Sequence, residues 1–311
     1  MVFYDQPIEA KTTMRFAEYF DPRRCSGPVI SFEVFPPKTD AAMDNLRRVL
    51  PELIELRPTF VTVTYGALGS TRERTLEIAT MIRRDFGWES ACHLTCVGSS
   101  RRDIDRILHD IRSAGIENIV ALRGDPPKGE SSFVPPPDGY AHADKLVAHI
   151  RRFDQTAGAE FGIAVAGYPE KHVEAPDAAT DLANLKRKVA AGADVVITQL
   201  FYDNADYFRF VDSARAAGIM QPIVPGLLPI LSVKQIRRIT SMCGSKIPPA
   251  LLAELESAGD DDSAAESVGI RQCVAQATEL LQRGVPGIHF YVLNKSSHMR
   301  RIMEQVRAVW P

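Results

Sequence analysis

The chain of 311 residues lacks an excess of charge of either sign, since 37 lysines and arginines face 39 aspartates and glutamates, for a formal net charge of -2. Without a net field, the chain has no general attraction for nucleic acid or an anionic membrane, and we expect neither as a partner. No apolar run approaches the roughly 18 residues that cross a bilayer. Asp5, Glu9 and Lys11 interrupt the segment where a secretory signal would be apolar. These absences favour a cytoplasmic protein that acts on small molecules.

Cysteine is scarce, with five residues at irregular spacing. An odd, scattered set is typical of reduced thiols rather than of a disulfide framework. Cys92 and Cys96 would stand about 13 Å apart on an extended strand, too far for a shared metal ion, so we expect no metal site. The glycine-rich Rossmann fingerprint, the P-loop, the zinc-protease helix and the hydrolase elbow are all missing. Any cofactor must therefore bind to the loops of another fold.

Short apolar runs alternate with amphipathic, helix-like segments from residue 28 to residue 311. Eight of these runs have the composition and length of buried strands, namely 29–35, 60–65, 90–97, 118–124, 161–168, 194–202, 222–228 and 287–293. Eight β-α units in series, without a break in composition, predict a (β/α)8 TIM barrel that forms a single domain over 28–311. An open doubly wound sheet is the alternative. Residues 1–27 form an N-terminal extension to which the sequence assigns no role.

Two segments depart from this alternation. Residues 125–139 contain five prolines, which suits a long loop over the mouth of the barrel, although a surface excursion explains them as well. Residues 243–284 insert an extra helix before the eighth strand. Within that insertion, the run Asp260-Asp261-Asp262 predicts a solvated turn and a helix N-cap rather than a set of metal ligands.

Glu33 lies in the first predicted strand among aromatic and β-branched residues. The alternation of a strand places Glu33 on the same face as Ser31 and Phe35, toward the barrel interior and near the carboxyl end. We expect burial to raise the pKa of this carboxyl group from about 4.3 toward neutrality, where it can donate a proton. The alternative is a structural ion pair with an arginine or lysine of a neighbouring strand.

Functional side chains of a (β/α)8 barrel gather at the carboxyl ends of its strands. Six of the eight predicted ends carry unusual polar groups, including Thr64, His93, Arg123, Asp125, Tyr168, His172, Gln199 and Tyr291. Single residues also have structural explanations: an ion pair for Arg123 and Asp125, and a polar plug for Gln199. Their joint placement favours a functional site.

The helix predicted after the fifth strand carries a further polar group. Helical spacing puts Asp181, Asn184 and Lys188 on one side, where they offer hydrogen bonds and a cation to a diphosphate or a ribose. A solvated face of an amphipathic helix is the alternative.

These segments resemble the 5,10-methylenetetrahydrofolate reductase family in its short bacterial form. The resemblance rests on eight motifs that run in order along nearly the whole chain, among them Ser31-Phe32-Glu33, Val63-Thr64-Tyr65-Gly66, His93-Leu94-Thr95-Cys96, Ala121-Leu122-Arg123-Gly124-Asp125, Ala166-Gly167-Tyr168-Pro169-Glu170, Asn184-Leu185-Lys186-Arg187-Lys188, Ile197-Thr198-Gln199 and His289-Phe290-Tyr291. It implies a flavoprotein that passes hydride from NADH or NADPH through FAD to methylenetetrahydrofolate, with each substrate using the flavin in turn.

The resemblance also implies roles for single residues. Glu33 would be the general acid, and Asp125 would tune the flavin. Gln199, Tyr291 and Lys295 would contact the folate. The residues that would line the FAD are Thr64, His93, Arg123, Gly124, Asp125, Tyr140, Ala166, Tyr168, His172, Asp181, Asn184 and Lys188.

The chain departs from the family pattern at two places. Val233 stands where bacterial members have a phenylalanine that stacks on folate or nicotinamide, and Lys295 replaces an arginine that holds the glutamate tail of folate. Two other functions remain open: a flavin- or folate-binding barrel without turnover, and a pterin-dependent methyltransferase. The choice between NADH and NADPH, a homo-oligomeric state and regulation are not determined by the sequence.

Overall fold

Eight parallel strands form a closed barrel in the computed structural model, which describes residues 13–65, 72–126 and 133–309. In chain order the strands are β1 (Val29–Val34), β2 (Phe60–Val63), β3 (Ser90–Thr95), β4 (Asn118–Leu122), β5 (Gly162–Gly167), β6 (Val195–Leu200), β7 (Ile223–Leu227) and β8 (Gly287–Tyr291). The barrel closes because β1 pairs with both β2 and β8. The predicted TIM barrel is confirmed, and the open sheet is wrong.

Helices follow the strands as predicted. They are α1 (Phe16–Tyr19), α2 (Asp40–Glu55), α3 (Arg72–Phe86), α4 (Arg101–Ser113), α5 (Ala143–Ala157), α6 (Ala178–Ala190), α7 (Asn204–Ala216), α8 (Val233–Cys243), α9 (Pro249–Ser257), α10 (Asp262–Gln282) and α11 (Ser297–Ala308). In the described residues, no helix combines the length and the apolar character that a membrane span requires. All five cysteines are free.

Side-chain caps fix where several helices begin. Thr39, Ser100, Asp177 and Ser232 each accept a hydrogen bond from a backbone N–H of the first turn that would otherwise have no partner. Asp261 caps α10 in the same way, as predicted for the aspartate run. The insertion before β8 contains two helices, α9 and α10, so the prediction of one extra helix was incomplete. Part of the predicted proline-rich loop, residues 127–132, lies outside the described residues.

The N-terminal segment closes the end of the barrel opposite the strand carboxyl ends. Phe16 is fully buried, and its ring lies 5.1 Å from that of Phe60 in an edge-on arrangement. Asn118 at the start of β4 holds the segment by accepting from Phe16 N at 2.7 Å and donating to Met14 O at 2.8 Å. Residues that the sequence left without a role therefore complete the core at the amino-terminal ends of the strands.

This packing predicts that Phe16→Ala destabilises the protein by about 3–5 kcal/mol, because a large side chain without exposed surface leaves a cavity. Urea unfolding measures the loss. Phe20→Ala is the control, since Phe20 is only partly buried in the same segment and should cost clearly less. Equal, small losses for the two variants would show that the segment does not support the barrel.

Candidate active site

A cavity of about 620 Å³ opens at the carboxyl ends of the strands. Its size lies within the range of about 300–1,000 Å³ found for ligand pockets. Fourteen of the residues proposed from the sequence line it: Glu33, Thr64, His93, Arg123, Gly124, Asp125, Ala166, Tyr168, His172, Asp181, Asn184, Lys188, Gln199 and Tyr291. The barrel thus brings together side chains from seven strands or the loops and helix that follow them.

Glu33 lies at the inner end of this cavity, near the end of β1. Its Oε2 accepts a hydrogen bond from Thr62 Oγ1 at 3.3 Å and lies 3.2 Å from His289 Nε2. A second imidazole, that of His93, places Nε2 at 3.1 Å from the same oxygen. On the far side of His289, Nδ1 lies 2.8 Å from Ser31 Oγ. These contacts fit the His289 tautomer in which Nε2–H donates to Glu33 and Nδ1 accepts from Ser31.

The electrostatics of Glu33 differ from the prediction. Burial raises the pKa of Glu33, but the nearby His93 imidazole and the hydrogen bond from His289 outweigh burial and hold that pKa at about 2. The prediction of a pKa near neutrality is therefore wrong for the ligand-free protein. The alternative of a lysine or arginine partner is also wrong, because two histidines take that place.

Arg123 forms its ion pair across the mouth of the cavity. Its guanidinium holds Glu174 with two contacts, Nη1 to Oε2 at 2.5 Å and Nη2 to Oε1 at 2.7 Å. The alternative of an ion pair with Asp125 is therefore wrong, and the Asp125 side chain is left exposed at the mouth. Gly124 between them has φ +87°, and a Cβ there would lie 2.5 Å from Val97 Cγ2, so this turn requires glycine.

Polar groups of α6 gather at the wall of the cavity beside β5. Lys188 Nζ donates to Ala166 O at 2.5 Å and lies 5.8 Å from the centre of the Tyr168 ring. Burial lowers the pKa of Lys188 to about 8, although Asp181 and Asp144 oppose this shift. Asp181 is itself buried and accepts from His172 N at 3.0 Å. The arrangement leaves one partly desolvated cation that an anionic ligand can pair with.

Two of the predicted site residues are not part of the cavity lining. The Tyr140 hydroxyl lies 2.7 Å from His149 Nδ1 and accepts from Arg152 Nη2 at 3.0 Å, so these contacts satisfy it within the protein. Lys295 is exposed and follows β8 beyond the lining residues. Burial and hydrogen bonding explain Tyr140 without a ligand.

The cavity also includes residues that the sequence predictions missed. They are Phe35, Thr95, Val97, Asp144, Glu174, Arg187 and Leu293, among others. A signal existed for two of them: Thr95 alternates with His93 along β3, and Arg187 precedes Lys188 in the same motif. Glu174 gave no signal, because its partner Arg123 is 51 residues away in the chain.

The sequence matches the profile of the family described as "Methylenetetrahydrofolate reductase" over residues 18–307. The chain belongs to the methylenetetrahydrofolate reductase family. It is 45% identical over 273 residues to methylenetetrahydrofolate reductase (NADH) 1 of Arabidopsis thaliana, a match that covers 85% of this chain and 46% of the plant protein. The chain therefore spans about half the length of that relative.

Bacterial members of the family are close to this chain in length. The 5,10-methylenetetrahydrofolate reductase of Salmonella typhimurium is 40% identical over 267 residues, and the match covers 86% of each protein. That of Escherichia coli is 39% identical with the same coverage. Among solved structures, a Clostridium thermocellum protein described as binding two copies of 5-methyl-5,6,7,8-tetrahydrofolic acid superposes with a TM-score of 0.58 at 14% identity, covering 91% of this chain and 96% of that one. At this identity the likeness concerns the fold.

The lowered pKa of Lys188 predicts a pH dependence of cofactor binding. The ammonium group of the ligand-free protein carries its charge below pH 8 and loses it as the pH rises through about 8. Affinity for a diphosphate ligand should therefore be constant below that pH and fall above it, by up to about tenfold per pH unit until the bound form also titrates.

Titration of the protein with a nucleoside diphosphate between pH 6.5 and 9.5 tests this prediction. Lys188→Ala should bind the diphosphate weakly throughout, whereas Lys188→Arg should remove the decline because a guanidinium stays charged. A wild-type affinity that does not change across this range, or an unchanged affinity in the alanine variant, would exclude Lys188 from the anion contact.

Proposed function

We propose that this protein reduces 5,10-methylenetetrahydrofolate to 5-methyltetrahydrofolate with electrons from NADH or NADPH. The observation that carries the proposal is the buried Glu33 carboxyl group at the inner end of the barrel-mouth cavity, in a chain of the reductase family. Opening the five-membered ring of this folate requires a proton donor beside a source of hydride. The sequence motif identified Glu33 as the candidate proton donor. Its position in the lining of a substrate-sized cavity supports that role.

The cavity fits a flavin dinucleotide. It has the volume for a large ligand, a partly buried cation at Lys188 for a diphosphate, and a second cation at Arg187 one residue earlier. Asp181, Asn184 and His172 add polar groups along the same wall. FAD, when bound, supplies the transfer of hydride from the nicotinamide to the folate. We assign Lys188 and Arg187 to the diphosphate. We assign the exposed carboxylate of Asp125 to the flavin ring.

Glu33 would deliver its proton to the nitrogen that joins the folate to its aminobenzoyl ring. In the ligand-free protein the low pKa of Glu33 depends on His93 and His289. A substrate that covers the cavity removes the remaining water from the carboxyl group, which favours its neutral form. The neutral carboxyl group of Glu33 can then donate its proton to the folate nitrogen.

Two further side chains are suited to hold the folate. Gln199 accepts from Leu200 N through Oε1 at 3.0 Å, so its amide NH₂ remains to donate to the pterin. Tyr291 donates its hydroxyl to Thr198 O at 2.7 Å, so its ring is fixed as a wall of the cavity. Gln199 would recognise polar edges of the substrate, and Tyr291 would confine the pterin ring beside Glu33.

Glu33→Gln separates the two halves of the reaction. We expect the variant to retain FAD and its reduction by NADH or NADPH, because hydride transfer to the flavin needs no proton from Glu33. Folate reduction should fall by at least about 100-fold, the scale of general acid catalysis. Anaerobic stopped-flow absorbance of the flavin measures each half-reaction in turn.

Glu55→Gln on the exposed side of α2 serves as the matched control and should behave as wild type. Equal loss in both half-reactions would refute the proton-donor role of Glu33. Wild-type protein that binds flavin but never transfers electrons to folate would favour a binding protein without turnover. A folate complex formed without any flavin would favour the methyltransferase.

A further inference from the structure

Phe35 presents an aromatic ring to the cavity mouth. Its side chain is 43% exposed, which is unusual for phenylalanine, and it lines the same cavity as Glu33. The two residues share one face of the chain, and extended geometry places Phe35 about 7 Å farther toward solvent than Glu33. In the described lining, the tyrosines Tyr65, Tyr168 and Tyr291 are only partly exposed. Phe35 is therefore the aromatic ring most available to a ligand at this end.

The backbone of Phe35 is fixed by a residue that follows β8. Phe35 N donates to Asn294 Oδ1 at 2.9 Å, and Asn294 Nδ2 donates to Phe35 O at 2.8 Å. Asn294 is buried and has a left-handed backbone with φ 53°, and Leu293 before it has φ 54°. Such backbones persist where the surrounding structure requires them. On the other side, Arg74 Nη1 donates to Pro37 O at 2.7 Å.

Val233, one of the two departures from the pattern that the resemblance implies, offers no ring to the cavity. Val233 begins α8 and packs against the hydrophobic cluster that includes Leu228, Ile236 and Leu255. It does not belong to the cavity lining that the structure describes. The helix α8 therefore contributes no aromatic ring to the described lining of the cavity.

We propose that Phe35 is the surface on which the aminobenzoyl ring of the folate stacks, and that Asn294 is the positioning residue that holds Phe35 in place. This inference rests on the proposed function. The nitrogen that receives the proton carries the aminobenzoyl ring, and the charged glutamate tail beyond that ring must stay near solvent. A folate with its reacting nitrogen at Glu33 therefore extends outward past Phe35.

Phe35→Leu tests the stacking, because it keeps an apolar side chain and removes the ring. Affinity for 5-methyltetrahydrofolate, measured by calorimetry on the FAD-loaded protein, should fall about five- to tenfold. Phe35→Tyr should restore it to within about twofold, since the ring returns. Both variants are compared with wild type at matched FAD content. Phe208→Leu, on a partly buried ring of α7 outside the cavity, is the matched control and should bind folate as wild type does.

Asn294→Gly tests the positioning. Glycine adopts the left-handed backbone without strain, so this variant removes the two hydrogen bonds to Phe35 and little else. Folate affinity should fall by about the same factor as in Phe35→Leu, with no further loss in the double variant, because both changes act through one ring.

Each outcome decides a separate part of the proposal. Wild-type affinity in Phe35→Leu would overturn the stacking, and losses that add in the double variant would overturn the role of Asn294. Wild-type protein that holds FAD yet binds no folate would instead overturn the proposed function itself, and the inference with it.

Discussion

A carboxylate buried between two imidazoles links the closure of the barrel to its chemistry. Glu33 comes from β1, His93 from β3 and His289 from β8, so their meeting requires that β1 pairs with β8 and that β2 lies between β1 and β3. An unpaired charge at this depth would cost several kcal/mol, and the loss of one partner of a buried pair typically costs about 3–5 kcal/mol. The same contacts that stabilise the charge of the Glu33 carboxylate also lower its pKa.

Stability and function are divided between the two ends of the barrel. The N-terminal segment with Phe16 fills the amino-terminal end, where side chains from the strands pack closely around it. At the opposite end the loops leave an open cavity, and polar groups that would be costly in the core lie there. Substitutions in the N-terminal segment should therefore affect folding more than they affect the site, as is general for this architecture.

The mouth of the cavity is held by contacts between loops that follow different strands. Arg123 and Glu174 join the loops after β4 and β5, and Asn294 joins the loop after β8 to the end of β1. Such contacts restrict side chains that a ligand must meet, which lowers the conformational entropy lost on binding.

The sequence by itself determined the order and type of nearly all elements. Apolar runs such as Val195–Leu200 are buried on both faces of a parallel sheet, and residues such as Asp261 and Ser100 mark helix starts, because both signals depend on neighbours within a few positions. Placement of polar residues at the strand ends followed from the barrel, and most of the predicted site residues do line one cavity.

Only the tertiary structure decided the electrostatics and the partners. Burial of Glu33 could be read from its strand, but the sign of its pKa shift depends on His93 and on His289, the latter 256 residues away. Arg123 took Glu174 rather than Asp125, and Tyr140 turned to His149, because each contact depends on how loops and helices pack. The local sequence pattern indicates which groups are buried. The charge state and the partner of a group depend instead on every atom within a few ångströms, and those atoms come from distant parts of the chain.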